Sequence, residues 1–221
     1  MEINSTATPK TTRVSAFIDG FNLYHSIDDI GRNELEWLNL RSVLEVFIDS
    51  KIHRLGPIYY FSAYADWKPG KQRRHEVYVR ALRHIGVIPV MGNFKSRSME
   101  CRHCHTRWIT HEEKQSDVNL AVTLVREAFH DSYDQAIIVS GDADLAPPIK
   151  LVNEIFPKKR IKIICPPGRR HSKELGELVH ATRGRSKIKE IHLERNLLPE
   201  RIAVPDGNDI VRPAKYSPPD R

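Results

Sequence analysis

Cysteine is scarce in this chain: Cys101, Cys104 and Cys165 are the three among 221 residues. An odd, low count argues against a disulfide-stapled secreted scaffold. Long apolar runs are missing as well. None approaches the roughly 20 residues a membrane-spanning helix needs, so no membrane association is expected. The opening stretch "MEINSTATPKTTR" has no apolar core of a secretory leader, and a cytoplasmic location is expected. No repeat of solenoid period recurs. Acidic residues are outnumbered: 35 Lys and Arg against 28 Asp and Glu give a formal net charge of +7. That surplus favours a polyanionic partner. The remaining composition, 40% hydrophobic and 29% charged, is ordinary for a globular protein, with room for one sizeable α/β domain or two small ones.

A strand–helix rhythm runs through most of the chain. "RVSAFID" (13–19) reads as a buried strand and "FNLYHSIDDI" as a helix. Leu40, Val43, Leu44 and Phe47 predict a helix within 38–51, and "PIYYFSAY" (57–64) a strand. A helix is expected over 71–85 with Val77, Leu82 and Ile85 turned inward, then a strand over 86–95 interrupted at Pro89. Over 116–130, Val118, Ala121, Val122, Val125, Ala128 and Phe129 follow three-four spacing, with Ser116 as N-cap. Then come a strand (135–140), a helix, a strand (160–165) in which Cys165 packs, a helix (172–182) capped by Ser172, and a short strand within 187–193. Residues 1–12 are expected to be disordered, and 194–221 to form a loose Pro- and charge-rich tail. Such alternation predicts an α/β domain over 13–193, with a mainly parallel central sheet covered by helices on both faces. The winding is expected to reverse beside the first strand, with ligands outside the carboxyl ends of the strands there.

Acids fall at that edge. The first strand ends in "FIDGFN", with Asp19 and then Asn22; a later one ends in "VSGDADL", with Ser140, Asp142 and Asp144. Gly20 and Gly141 suit sharp strand exits. Asp117, at the start of the 116–130 helix, can face the same mouth, and Lys114 lies close enough to reach a phosphate or the acids. Carboxylates gathered in a cleft repel each other, and a divalent cation relieves the repulsion. All-oxygen ligands favour Mg²⁺ or Mn²⁺ over zinc, and the chemistry that fits is phosphodiester hydrolysis. Each acid also has a plainer explanation. Asp19 and Asp142 suit turns, Asp144 a helix cap, and Asp117 the favourable end of a helix dipole. Asn22 and Ser140 suit caps too, or a role in holding water or orienting Asp19.

At these residues the sequence resembles the NYN family, LabA-like nucleases of the PIN-like superfamily. "FIDGFNLYHSI", "EEKQSDVNLAVTLV" and "IIVSGDADLAPPIK" carry the resemblance, which with the rhythm between them covers about 13–193. It implies a Rossmann-like, three-layer PIN-type fold and metal-dependent ribonuclease activity. It also implies that Asp19, Asn22, Asp117, Asp142 and Asp144 form a metal-binding acidic site with Ser140 beside it. Related PIN domains often carry Glu on the middle helix, where this chain has the shorter Asp117. RNA is the expected partner, with DNA and a homo-oligomer left open. Two rivals stand: a non-catalytic RNA-binding or adaptor module, and a phosphatase or nucleotide hydrolase using the same acids.

Basic residues follow two strand ends. Lys68, Lys71, Arg73 and Arg74 lie in "DWKPGKQRR", and Arg169, Arg170 and Lys173 in "CPPGRRHSK". They are expected to rim the acidic edge and, with Lys114, to hold nucleic-acid phosphates. Tyr64 and Trp67 are placed to stack bases. "PKKR" (157–160) precedes a strand and is expected at the opposite edge as a solvated turn. The stretch 96–112 breaks the rhythm and reads as a small insertion. Its Cys101-x-x-Cys104 pair suits a zinc knuckle completed by His105 or His111 and a ligand from elsewhere or from a second chain. A redox dithiol and two free thiols are the competing readings; a c-type haem attachment lacks the export signal it needs.

Overall fold

The structure is a computed structural model describing residues 11–170, 172–179, 184–205 and 207–218. The expected disorder of 1–12 falls almost wholly on residues outside that set. Strand β1 (Thr12–Asp19) leads into α1 (Gly20–Asp28), then α2 (Leu40–Glu45), β2 (His53–Ser62), α3 (Pro69–His84) and β3 (Val87–Met91). After β4 (Asn93–Glu100) and β5 (Arg107–Lys114) come α4 (Ser116–Phe129), β6 (Gln135–Val139), α5 (Ala146–Ile155), β7 (Arg160–Cys165), α6 (Lys173–Glu177) and β8 (Arg185–Lys187). The chain continues through α7 (Glu190–Glu194), β9 (Arg201–Ile202) and β10 (Ile210–Val211).

Six strands pair in the order β3-β2-β1-β6-β7-β8, every pair parallel. The expected α/β class and the reversal beside β1 are both present. Alternation along β1 sorts the two cores. Val14, Ala16 and Ile18 face one layer, which includes α3 residues Val79 and Leu82 and the buried Trp37. Phe17 faces the other, with Leu120 and Leu124 of α4 and Ile149 of α5. Pro89 sits within β3, tolerated because β3 is an edge strand whose missing N–H leaves no inner ladder unpaired.

Several expectations are corrected. The strand expected over 86–95 is two: β3 ends at Met91, and β4 pairs antiparallel with β5 as a separate hairpin. The stretch 96–112, expected as an insertion, lies within this hairpin, with Cys101 to Thr106 at its tip. The helix within 38–51 is only α2; Asp49 Oδ1 accepts the Lys51 N–H at 2.9 Å in the turn that follows it. In α4 the inward face carries Leu120, Thr123, Leu124, Glu127 and Ala128, while Val118, Val122 and Phe129 are 64%, 59% and 61% exposed. The helix bears two apolar stripes, and a buried Glu127, paired with Arg126 at 2.8 Å, disguises the one that packs.

The last sheet strand is Arg185–Lys187, and much of the stretch expected as strand is α7. Nor is the C-terminal segment loose: Leu198, Ile202, Ile210 and Tyr216 join the first core, and the Trp37 indole donates to the Pro199 carbonyl at 2.9 Å. These apolar residues are spaced singly among prolines and charges, so composition hides them. "PKKR" is less solvated than expected, since Lys159 bonds Asp131 Oδ1 and the Tyr133 carbonyl, each at 2.7 Å. Among the described residues no helix is long and apolar enough to cross a membrane.

Candidate functional site

In the parallel pairing of β1 with β6, Ile18 lies opposite Val139. Asp19 and Ser140 therefore leave the sheet side by side at the winding reversal. Asp19 is 5% exposed. Its Oδ1 accepts the Asn22 N–H at 2.9 Å, capping α1, and its Oδ2 accepts the Ser140 hydroxyl at 2.9 Å. Ser140 Oγ in turn accepts the Asp142 N–H at 3.1 Å. Asn22 Oδ1 accepts the Gly141 N–H, also at 3.1 Å. Asp142 Oδ1 accepts the Asp144 N–H at 3.0 Å, capping a 3₁₀ turn. Asp19 and Asp142, which the plainer reading took as turn formers, are caps, and capping fixes both carboxylates at the cleft. Asp144 does not cap; it lies in that first turn.

Gly20 makes the exit from β1 tight. A Cβ there would stand 2.5 Å from the Phe61 carbonyl oxygen and 2.7 Å from the Tyr60 ring, closer than any side chain tolerates.

Burial pushes the Asp19 carboxyl up to about 6, resisted by the bonds from Asn22 and Ser140 and assisted by the charges of Asp117 and Asp142. The Asp117 carboxyl is also raised, by burial first and then by Asp142, Glu113 and Asp144. Asp19, Asn22, Asp117 and Asp142 line one cleft of about 670 Å³, together with Lys68, Lys71 and Arg169. Ser140 lies beneath it, fully buried. Asp144 is exposed and outside the lining, reaching the cleft only through its charge.

The other expected phosphate-binding residues are not brought into the lining. Arg73, Arg170 and Lys173 are exposed outside it, and Arg74 is half-buried. Lys114 pairs with Glu112 at 2.9 Å, and Arg169 with Asp29 at 2.8 Å while still reaching the cleft. Trp67 lines the cleft, whereas Tyr64 does not; Tyr64 packs edge-on to His75 with centroids 5.1 Å apart.

Sequence reasoning missed Glu113. It lines the cleft, and its Oε1 accepts the Ser116 N–H at 3.0 Å and the Ser116 hydroxyl at 2.6 Å. This carboxylate, not Ser116, caps α4; the residue before the helix, Gln115, has φ 83°. It also missed Glu36, His75 and Phe94, all in the lining, and read His111, another lining residue, as a candidate zinc ligand. The signal for Glu113, Phe94 and His111 was a strand–turn–strand pattern across 93–114. It is weak because both strands are largely exposed and carry no apolar alternation.

At the hairpin tip, Cys101 is half-buried and Cys104 exposed, both free. His105 Nδ1 lies 3.0 Å from Glu100 Oε1. His111 is mid-hairpin, stacked on Trp67 at 3.9 Å, so it does not complete a site at the tip. Cys104 has its thiol lowered to about 7 by bonds with Thr106 and Cys101. Among the described residues no three His, Cys, Asp or Glu side chains stand together as ligands of one ion would. The described residues therefore do not assemble the ligand set of a zinc knuckle at the tip. At the acidic cleft the donor set is all oxygen, which suits a hydrated Mg²⁺ or Mn²⁺ held by one or two carboxylates and water, not a closed protein cage.

Comparison with known proteins gives the fold and the family. A Vibrio parahaemolyticus RIMD 2210633 protein of unknown function, VPA0982, shares the fold with a TM-score of 0.55 at 16% identity, over 87% of this chain and 100% of that one. A curated relative from Pseudomonas putida (strain DSM 28022 / S16), 6-hydroxy-3-succinoylpyridine 3-monooxygenase HspA, is 28% identical over 198 residues. That alignment covers 72% of this chain and spans 60% of the relative's length. The NYN domain model matches residues 13–180, so the chain belongs to the NYN domain family, within the PIN-like nuclease superfamily.

Proposed function

We propose that this cleft hydrolyses phosphodiester bonds of single-stranded RNA with Mg²⁺ or Mn²⁺ held at Asp19 and Asp142, and at Asp117 directly or through water. The observation that carries the reading is the Asp19–Ser140–Asp142 linkage at the mouth of a cleft that also contains Lys68, Lys71 and Arg169. A basic rim draws in phosphates, and an acidic centre draws in the cation that offsets their charge. The ion supplies a Lewis acid for a phosphoryl oxygen and lowers the pKa of a bound water. Ser140 holds the Asp19 carboxylate in place, and Asn22 fixes the exit of β6 through its Oδ1, which accepts the Gly141 N–H. Asp144 adds negative charge from outside the lining.

The Pseudomonas relative's name would instead put oxygenation of a pyridine ring in such a cleft. The gathered carboxylates favour the phosphodiester reading, because a neutral ring gains little from them.

The test is incubation with end-labelled single-stranded RNA, with Mn²⁺ or with chelator. Cleavage is expected with Mn²⁺ and absent both in chelator and in Asp142→Asn. RNA binding without cleavage would favour the adaptor reading; phosphate release from mononucleotides would favour the phosphatase.

A further inference from the structure

Beyond the acids the cleft changes character. The Trp67 and His111 rings stack 3.9 Å apart and nearly parallel, at 11°, and Phe94 meets Trp67 edge-on at 4.5 Å. All three line the cleft. Two of them come from the β4–β5 hairpin and one from the loop after β2, so two separate parts of the chain build one aromatic wall. Such a wall is a stacking platform for an unpaired base, and it tolerates any base because each has a π-face.

Glu36 also lines the cleft. Its Oε1 is buried with no hydrogen-bond partner among the described residues. A buried acceptor left without a donor is costly, and a ligand N–H that reaches it recovers the loss. Guanine alone among the four bases presents two adjacent N–H donors, N1–H and N2–H₂, with no acceptor between them. Uracil flanks its single N–H with two carbonyl oxygens, which a carboxylate repels.

We infer that the aromatic half of this cleft is a nucleobase pocket that prefers guanine, with the base stacked on the Trp67–His111 wall and its donor edge turned to Glu36. The inference rests on the proposed nuclease reading for placing the base beside a scissile phosphate. The binding itself requires neither metal nor cleavage.

The experiment is a calorimetric titration of the full chain, in chelator, with GMP, AMP, CMP and UMP. GMP is expected to bind about tenfold or more tightly than UMP, the scale of one good paired hydrogen-bond contact. In Glu36→Gln that ratio is expected to collapse towards one. In Trp67→Ala all four are expected to weaken by about tenfold while their ranking persists. Equal binding of the four nucleotides by the wild-type chain, or an intact GMP preference in Glu36→Gln, overturns the pocket. The wild-type ranking decides the matter even if Glu36→Gln does not fold. RNA cleavage without any guanine preference sinks the pocket and leaves the nuclease reading standing. A guanine preference in a protein that cleaves nothing sinks the nuclease reading and leaves the pocket.

Discussion

The Ser140 hydroxyl donates a 2.9 Å hydrogen bond to Asp19 Oδ2, joining side chains 121 residues apart in the chain. Ser140 Oγ also accepts the Asp142 N–H, so one buried hydroxyl links the ends of β1 and β6. It also opposes the burial that raises Asp19. Removing it should loosen both carboxylates together.

Ser140→Ala is expected to reduce RNA cleavage by about tenfold or more and to lower stability by about 1–3 kcal/mol, the scale of losing a buried bond to an ionisable group. Single-turnover cleavage and urea unfolding measure the two effects. Ser140→Thr, which keeps a hydroxyl, should recover part of the cleavage.

Asp19→Asn should separate stability from function. The carboxyl binds its proton more tightly in the folded chain, so folding favours the protonated form. That advantage is present below about pH 4 and is lost as pH rises through about 6. The neutral amide avoids the loss, so Asp19→Asn is expected to be about 1–3 kcal/mol more stable than wild type at pH 8 in chelator, while cleaving no RNA. Thermal denaturation at pH 4 and pH 8 checks the sign: the gain should be confined to the higher pH.

His75 works in the opposite direction. Burial first, and then the Lys71 charge, lower it to about 4, so the folded chain resists protonating it. Its contribution is fully present above about pH 6.5 and is lost as pH falls through about 4. Because Asp19 has the reverse slope over much of that range, the wild-type profile alone hides both. The unfolding free energy of wild type relative to His75→Gln is expected to fall by about 2–3 kcal/mol between pH 7 and pH 4.5.

Cys104 and Cys165 should react at different rates. Cys104 is exposed with its thiol at about 7, while Cys165 is fully buried and its thiol is raised by burial. Alkylation by iodoacetamide, followed by peptide mass mapping, is expected to label Cys104 with a midpoint near pH 7. Cys165 should label only on unfolding.

The two acidic strand ends were legible because β1 and β6 are apolar runs that stop abruptly, and alternation of strands with helices places such ends together. The hairpin was not. Its strands are half-solvated on both faces, so Phe94, His111 and Glu113 stand in no periodic pattern. Glu36 was also invisible: it ends a short 3₁₀ turn, and only tertiary packing brings it to the cleft. The α4 stripe misled because Val118–Val122–Phe129 is as regular as the face that packs, and a paired Glu127 sits on the true one. Arg73 and Arg170 show the limit of placing charge by strand ends: position along the chain indicates an edge of the sheet, yet both lie exposed outside the cleft lining.

The most direct test of the acidic site is titration of the full chain with Mn²⁺, following the free ion by electron paramagnetic resonance. One saturable site in the wild-type chain, lost in both Asp19→Asn and Asp142→Asn and weakened as pH falls below about 6, is the expected result. Mn²⁺ uptake unchanged in those variants, or none in the wild-type chain, would contradict it.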